Sequence, residues 1–258
     1  MRIARFSTSP PSAPAWGWLS GDRIGVLDGS PFGEYRREEA TLPLSAARLA
    51  PPVVPGKIVC VARNYLSHVE ERQAEVPSIP LLFLKPPSTV IGPGQIIRLP
   101  PQSKQVHHEA ELAVVIGLGG RWIRPEEAQG HILGYTIAND VTARDLQERD
   151  GQWTRAKGFD TFCPLGPWIE TDLDPADALI TCTVSGQLRQ MGSTRDMIFP
   201  VRQLVAFISS VMTLDPGDVI LTGTPSGVGA LADGDEITIE IEGIGTLTNP
   251  VRADTATA

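Results

Sequence analysis

The chain has 258 residues, 41% of them hydrophobic and 20% charged, with 30 acidic side chains against 22 basic ones and a formal net charge of -8. That length buries a large core, and the apolar content is that of an ordinary soluble globular protein rather than a disordered chain. Net acidity without any run of Lys and Arg excludes a nucleic-acid backbone or an anionic membrane surface as the natural partner.

The first fifty residues predict short extended pieces, RIARF, AWGWLS and RIGVLDG, the last two joined at Gly21-Asp22. LAPPVVPG then marks a junction at Pro51, Pro52 and Pro55, so a small β-rich segment is expected over 1–54 and the main body over 55–258. KIVCVA reads as a buried strand, NYLSHVEER as a short helix, and 81–99 as strands broken by Pro-Pro and Gly-Pro-Gly. In HHEAELAVVIG, residues 107–117, alternation puts His107, Glu109 and Glu111 on one face and His108, Ala110, Leu112, Val114 and Ile116 on a core face. Like charges two residues apart repel unless water, a cation or a divalent metal separates them, so the stretch is either an antiparallel strand with one solvated face or a ligand site.

HILGYTIAND is a further strand that leaves Asp140 at a strand-to-helix corner, and VTARDLQERDG opens a helix with Thr142 and Asp145 in capping-box spacing. LITCTVSGQLRQ predicts a hairpin turning at Ser185-Gly186. FPVRQLVAFISSVMTL carries Val201, Leu204, Val205, Ile208, Val211 and Met212 at helical spacing. DPGDVILTGTPSGVG is a turn, a strand and a Gly-rich loop, and DGDEITIEIEGIGTLTNPV is a hairpin with Ile237, Ile239 and Ile241 on one face. Many short strands and few helices define a β-dominated α+β fold. Cys60, Cys163 and Cys182, odd in number and widely spaced among apolar neighbours, read as buried free thiols. No basic-then-apolar leader opens the chain and no apolar run nears the roughly 18 to 20 residues that span a bilayer, so a cytoplasmic location is expected.

GVGALA at 227–232 formally fits a dinucleotide fingerprint, but a DGD turn and a strand follow where a helix is required, and GTPSGVG lacks the Gly-Lys-Ser/Thr of a phosphate loop. Both read as tight turns. His68 and Glu71 are three apart on one helical face, which is either a solvated pair or an imidazole oriented as a general base. Lys157, taken alone, reads as a surface lysine, and Arg144 and Gln147 as a solvent-facing pair on the helix after Asp140. Glu109, Glu111 and Asp140 together supply three hard oxygen donors, which suit Mg2+ or Mn2+ better than zinc.

RNYLSHVEE, the lysine of LFLKPPS, HHEAELAVVIG, ANDVTARDLQ, RAKGFDTFCPLGP and LTGTPSGVG, in that order, resemble the fumarylacetoacetate hydrolase family over roughly residues 57–250. The resemblance implies a mixed β-sandwich roll with a small N-terminal β segment, usually as a homodimer. It implies that Glu109, Glu111 and Asp140 bind the divalent metal, Mg2+ with Mn2+ or Ca2+ as substitutes. It further implies that His68 and Glu71 hold a catalytic water from a lid helix, that Lys157 is catalytic, and that Arg144, Gln147 and Thr224 meet the substrate. The full-length fumarylacetoacetate hydrolase has a larger N-terminal domain, which argues against that particular substrate.

The expected activity is Mg2+-dependent chemistry on a small enolisable 2-oxo acid through a metal-stabilised enolate, foremost C–C hydrolysis of an acylpyruvate-type substrate. The alternatives are isomerisation or decarboxylation of a 2-hydroxyhepta-2,4-diene-1,7-dioate type compound or decarboxylation of oxaloacetate. A different class is a metal-dependent module that binds a small acid without turnover.

Overall fold

The structure is a computed structural model that describes residues 1–8 and 13–254. Its main sheet runs, edge to edge, through Tyr35–Arg37, Arg23–Gly29, Ala15–Ser20, Arg2–Ser7, Cys163–Glu170, Ile132–Asn139, Ala110–Ile116, Val219–Leu221, Ile58–Ala62 and Leu81–Lys85. A second sheet joins Ile97–Leu99, Gly245–Ala253, Glu236–Ile241, Leu179–Val184 and Gln187–Ser193. This is the β-dominated α+β architecture that the many short strands predict. No helix among the described residues is long and apolar enough to cross a membrane.

The strand Ala110–Ile116 lies in the middle of the main sheet, antiparallel to both Ile132–Asn139 and Val219–Leu221. Leu112, Val114 and Ile116 pack into a core shared with Leu204, Ile208, Ile239 and Ile241, while Ala113 and Val115 pack into another with Ile3, Val53, Cys60 and Leu165. Both faces are therefore covered, and the solvated face that alternation left open does not exist. The reason is that the amino-terminal strands extend the same sheet, Arg2–Ser7 pairing with Cys163–Glu170, and carry Ile3 onto the far side. Cys60, Cys163 and Cys182 are free and buried, as their apolar surroundings predict.

The hairpin at Ser185-Gly186 forms, with both turn residues at positive φ, the geometry that a two-residue turn between twisted strands requires. Two expectations fail. The helix Arg144–Asp150 has no side-chain cap: the Thr142 hydroxyl donates to the Asp140 carbonyl, and the Asp145 carboxylate is taken by Ser103 and by the Lys104 and Leu146 N–H groups. The helix Val201–Val211 buries Val201, Leu204, Val205 and Ile208, but Val211 is 52% exposed because the helix ends there and Met212 turns extended.

The helix Leu66–Glu71 is only six residues long, too short to persist by itself, and it has no side-chain cap. It is held from outside. Asn64, fully buried just before it, donates through its amide to the carbonyls of Phe199 and Thr222 at 3.0 and 2.8 Å, and accepts from the Phe199 N–H at 2.8 Å. One side chain thus ties the start of the helix to two distant loops. Replacing Asn64 by Ala leaves three backbone groups without this partner, the Thr222 carbonyl buried and the two of Phe199 partly so, and a loss of about 2–4 kcal/mol is expected. Urea unfolding should show a lowered midpoint at unchanged slope; an unchanged midpoint would mean that the helix is anchored elsewhere.

Candidate active site

Two neighbouring strand ends deliver the acids. Glu109 and Glu111 sit at the start of Ala110–Ile116, and Asp140 follows Ile132–Asn139, its antiparallel neighbour in which Ala110 pairs with Asn139. Donor oxygens of Glu109, Glu111 and Asp140 lie within 4.8 Å of one another, and all three residues are 5% exposed or less. Burying three carboxylates together demands counter-charge.

Lys157 Nζ donates to Glu109 Oε2 at 2.9 Å and to Asp140 Oδ2 at 2.5 Å. Lys85 Nζ donates to Asp140 Oδ1 at 2.7 Å and to the Val141 carbonyl at 3.1 Å. Arg144 Nη2 donates to the remaining oxygen of Glu109, and its Nη1 to Gln147 Oε1 at 3.0 Å. Lys157 and Arg144 are 2% and 4% exposed. Neither is the surface residue that its local sequence indicates, because the acids that claim them come from other strands.

The two glutamates respond oppositely. Burial works to raise the Glu109 carboxyl, but Arg144 and Lys157 hold it well below the usual carboxylate range. Burial pushes Glu111 well up, and Asp140 and Glu109 push it further, opposed only by Lys157 and one hydrogen bond from the Gly223 N–H at 2.7 Å. Lys157 is held above the ordinary lysine range: burial lowers it, and Asp140 and Glu109 more than reverse that. Glu111 is thus the acid left without its own cation. Three hard oxygens, one of them under-neutralised, fit a divalent ion of the Mg2+ or Mn2+ kind.

The helix Leu66–Glu71 roofs this cluster. His68 Nδ1 lies 3.2 Å from Glu71 Oε2, so the predicted pair forms, and Glu71 Oε1 accepts the Gly227 N–H at 2.9 Å. His68 is 7% exposed, and burial lowers its pKa more than Glu109 and Glu71 raise it, which favours the neutral imidazole. The Gly-rich loop serves this geometry instead of a phosphate. Gly223 and Gly227 have φ of +95° and +96°, and a Cβ on Gly227 would lie 2.0 Å from the Arg189 carbonyl oxygen.

A cleft of about 310 Å3 opens onto these groups, lined by the three acids, His68, Arg144, Gln147, Lys157 and Thr224. The Thr224 hydroxyl donates to the Ala110 carbonyl and accepts from Gln190 Nε2, both at 2.8 Å. Its proton is committed, so it must turn to meet a substrate carboxylate. His107 and His108 take no place in the cleft lining. His108 faces Gln190 at 3.0 Å, and burial followed by Arg144 pushes His107 down to about 4.

Sequence reasoning assigned no role to Lys85, Gly223, Arg63, Arg72, Phe83 or Trp153. Lys85 was visible as a lone cation in an apolar strand; the others carry no local signal. Phe83 places its ring 4.9 Å from Lys157 Nζ and meets Trp153 edge-on at 5.3 Å.

A buried acid triad that could hold a metal ion lies beneath the His68 imidazole and opens to a small cleft rich in fixed cations. The family described as fumarylacetoacetate (FAA) hydrolase C-terminal matches residues 57–252, and one described as Rv2993c-like, N-terminal, matches residues 1–52. The chain belongs to the fumarylacetoacetate hydrolase family of enzymes.

It is 46% identical to a 2-hydroxyhepta-2,4-diene-1,7-dioate isomerase of Mycobacterium marinum, with a TM-score of 0.90 over 98% of this chain and 99% of that one. It is 42% identical over 287 residues to the mitochondrial oxaloacetate tautomerase FAHD2B of Bos taurus, covering 97% of this chain and 91% of the relative. A maleylpyruvate hydrolase of Sphingobium, solved with manganese(II) and pyruvate, is 32% identical with a TM-score of 0.81, over 99% of this chain and all of that one.

Glu111 and Asp140 predict different outcomes on neutralisation. Asp140→Asn removes the only carboxylate paired with buried Lys85 and one of the two paired with Lys157, and should cost about 3–5 kcal/mol of stability. Glu111→Gln keeps an oxygen that can accept the Gly223 N–H and should fold. Calorimetric titration with Mn2+ should give wild-type affinity that falls with decreasing pH, because the raised Glu111 must shed its proton to bind. In Glu111→Gln most of the affinity and its pH dependence should vanish together. Undiminished Mn2+ binding by that variant would remove Glu111 from the ligand set.

Proposed function

We propose that the protein catalyses keto–enol proton transfer on a small 2-oxo acid, with Mg2+ held by Glu109, Glu111 and Asp140. The observation that carries this reading is the His68–Glu71 pair, 3.2 Å apart, over the acid triad. A divalent ion held by Glu109, Glu111 and Asp140 would supply Lewis acidity to the developing enolate. His68 takes a proton from the carbon next to the 2-oxo group, and Glu71 holds the ring so that the other nitrogen faces the cleft. The Lys157 ammonium, fixed by Glu109 and Asp140, supplies positive potential for the negative charge that develops on the 2-oxo oxygen. Delivering the proton to the 2-oxo oxygen gives the enol, and the reverse path from that oxygen to the carbon gives the keto acid, which is tautomerisation; delivering it two carbons further along a conjugated chain gives isomerisation. The isomerase and tautomerase relatives support this order of preference.

The relative solved with manganese and pyruvate supports a second reading, acylpyruvate-type hydrolysis. There His68 takes its proton from water, the hydroxide adds to the 4-oxo carbon, and the C3–C4 bond breaks. Its electron pair stays on C3 as the enolate of pyruvate, and the acyl group leaves as a carboxylic acid.

We also propose a homodimer. Leu81 and Leu84 on the sheet's edge strand are 41% and 50% exposed, and Val76 and Ile79 beside them 54% and 63%, an apolar edge that a second copy would cover.

The deciding experiment is turnover of oxaloacetate enol, 2-hydroxyhepta-2,4-diene-1,7-dioate and acetylpyruvate, each with Mg2+ and with EDTA. Mg2+-dependent conversion of either of the first two supports proton transfer, and release of acetate from acetylpyruvate supports hydrolysis. His68→Ala should lower kcat by about 10²- to 10⁴-fold while sparing Mn2+ binding. Wild-type kcat/KM should stay level from pH 8 to below the ordinary histidine value, then fall as His68 protonates. Silence on all three substrates, with Mg2+ bound, would overturn the assignment.

A further inference from the structure

A second cavity, of about 730 Å3, lies apart from the cleft and shares no lining residue with it. Its floor is apolar: Met197 and Val201 are buried there, and Leu173 and Pro175 are half-buried beside them. Thr194, Arg195 and Arg202 add polar groups to the same lining. Thr194 is 3% exposed; its hydroxyl oxygen accepts the Ala178 N–H at 2.8 Å, and its proton has no acceptor among the described residues. Arg202 has no carboxylate within 4 Å among the described residues, and Arg195 reaches Asp177 and Asp196 only at 3.5 and 3.8 Å, too long for a charge-assisted hydrogen bond. The acids of the lining are engaged elsewhere, Asp172 with the Met1 amino group and Asp174 with the Ala176 N–H at 3.0 Å.

One wall of this cavity is also the anchor of the roof helix. Met197 pairs with Tyr65 as an isolated antiparallel bridge, and the Ile198 N–H donates to the Asn64 carbonyl at 2.8 Å. Phe199 exchanges two hydrogen bonds with the Asn64 side chain, its N–H donating to Oδ1 at 2.8 Å and its carbonyl accepting from Nδ2 at 3.0 Å. Tyr65 is the residue from which the roof helix starts. The strip 197–200 thus lines the cavity through Met197 and Pro200 and grips the helix start through its backbone. A ligand seated against Met197, Pro200 and Val201 restrains the strip that holds Asn64 and Tyr65.

We propose that this cavity is a second ligand site, taking a small molecule with an apolar body and one carboxylate, and that its occupancy steadies the roof helix. The apolar body suits the floor of Leu173, Met197 and Val201, since seating it there removes hydrocarbon from water. The carboxylate suits Arg202 and Arg195, whose planar forks pair with both of its oxygens, and the Thr194 hydroxyl can donate to it as well. An inorganic anion would leave the apolar floor in water, and an uncharged hydrocarbon would cover the arginines without pairing them. The volume of 730 Å3 takes a body of about eight carbons or one substituted aromatic ring. The effect reaches the cleft through His68 and Glu71, which the roof helix carries.

Three probes separate body from head group: octanoate has both, octan-1-ol has the body alone, and butyrate has the head group on a short stub. Their affinities are measured by calorimetry in EDTA, which keeps the acid triad free of metal, for the wild type, Arg202→Gln and Ala176→Trp, with thermal melts to establish folding. The last variant fills the cavity from an exposed position of its lining. Wild type should bind octanoate at least about tenfold more tightly than either other probe, and each substitution should weaken octanoate by about tenfold or more. Hydrogen exchange of the roof helix Leu66–Glu71 is then followed in wild type and Asn64→Ala. Saturating octanoate should slow exchange at least about threefold in wild type and leave it unchanged in Asn64→Ala, which keeps the cavity but loses the side-chain tether. No octanoate binding, or binding that either substitution leaves unchanged, overturns the site, and equal binding of either other probe overturns the ligand class. Exchange unchanged on binding, or slowed equally in Asn64→Ala, overturns the link to the roof. None of these readouts requires turnover, so the reaction assigned to the cleft stands or falls separately.

Discussion

Everything in this molecule's functional half is arranged around the burial of three carboxylates at one end of a central strand pair. A single buried carboxylate is costly, and three with oxygens within 4.8 Å of one another would destabilise the strand ends that carry them unless cations were fixed beside them. Lys85, Lys157 and Arg144 supply that charge, and they come from an edge strand and from two short helices after Asp140. The acids thereby tie the edge strand and both helices to the central strand pair. The lysine hydrogen bonds to Asp140 occupy both of its oxygens, so its orientation is set before any ligand arrives.

The neutralisation is uneven. Glu109 receives two cations, Asp140 two, and Glu111 only a backbone N–H. An evenly satisfied cluster would be an inert structural ion network; the shortfall at Glu111 leaves room for one more positive charge at one place. The same asymmetry separates the acids' pKa directions, Glu109 down and Glu111 up. Two carboxylates two residues apart on a strand thus have different chemistry because of what reaches them across the fold.

The part of this that sequence could carry was the part encoded at short range. The parity of Glu109 and Glu111, the corner at Asp140, and the three-residue spacing of His68 and Glu71 all reflect geometry within one element, and each group is where that geometry puts it. The ordered motifs supplied the rest of the set. What local pattern misjudged was burial. In Leu81–Lys85 the leucines at 81 and 84 are exposed and Lys85 is the buried residue, the reverse of the usual rule, because the strand lies at a sheet edge and its last residue faces Asp140, 55 residues away in sequence. Lys157 was misread as a surface residue for the same reason, its partner Glu109 lying 48 residues before it. The capping box failed differently: Thr142 and Asp145 had the right spacing, but nearer acceptors and donors outcompeted the helix terminus for them.

The loop after Val219–Leu221 connects the acid cluster to the roof. Its Gly223 N–H holds Glu111, its Thr224 hydroxyl donates to the carbonyl of Ala110 between the two glutamates, and its Gly227 N–H holds Glu71. Gln190, fully buried in the second sheet, fixes the loop from behind: its amide donates to Thr224 Oγ1 and the Pro225 carbonyl, and its oxygen accepts the Ala110 N–H. A shift of this loop would therefore move Glu111 and Glu71 in the same event. Because the roof helix is too short to stand alone, its position depends on that loop and on Asn64, which itself donates to the Thr222 carbonyl. An ion that draws on Glu111 and a substrate that closes against His68 act on one shared segment, and any preference of either for one arrangement of the loop must appear reciprocally in the binding of the other.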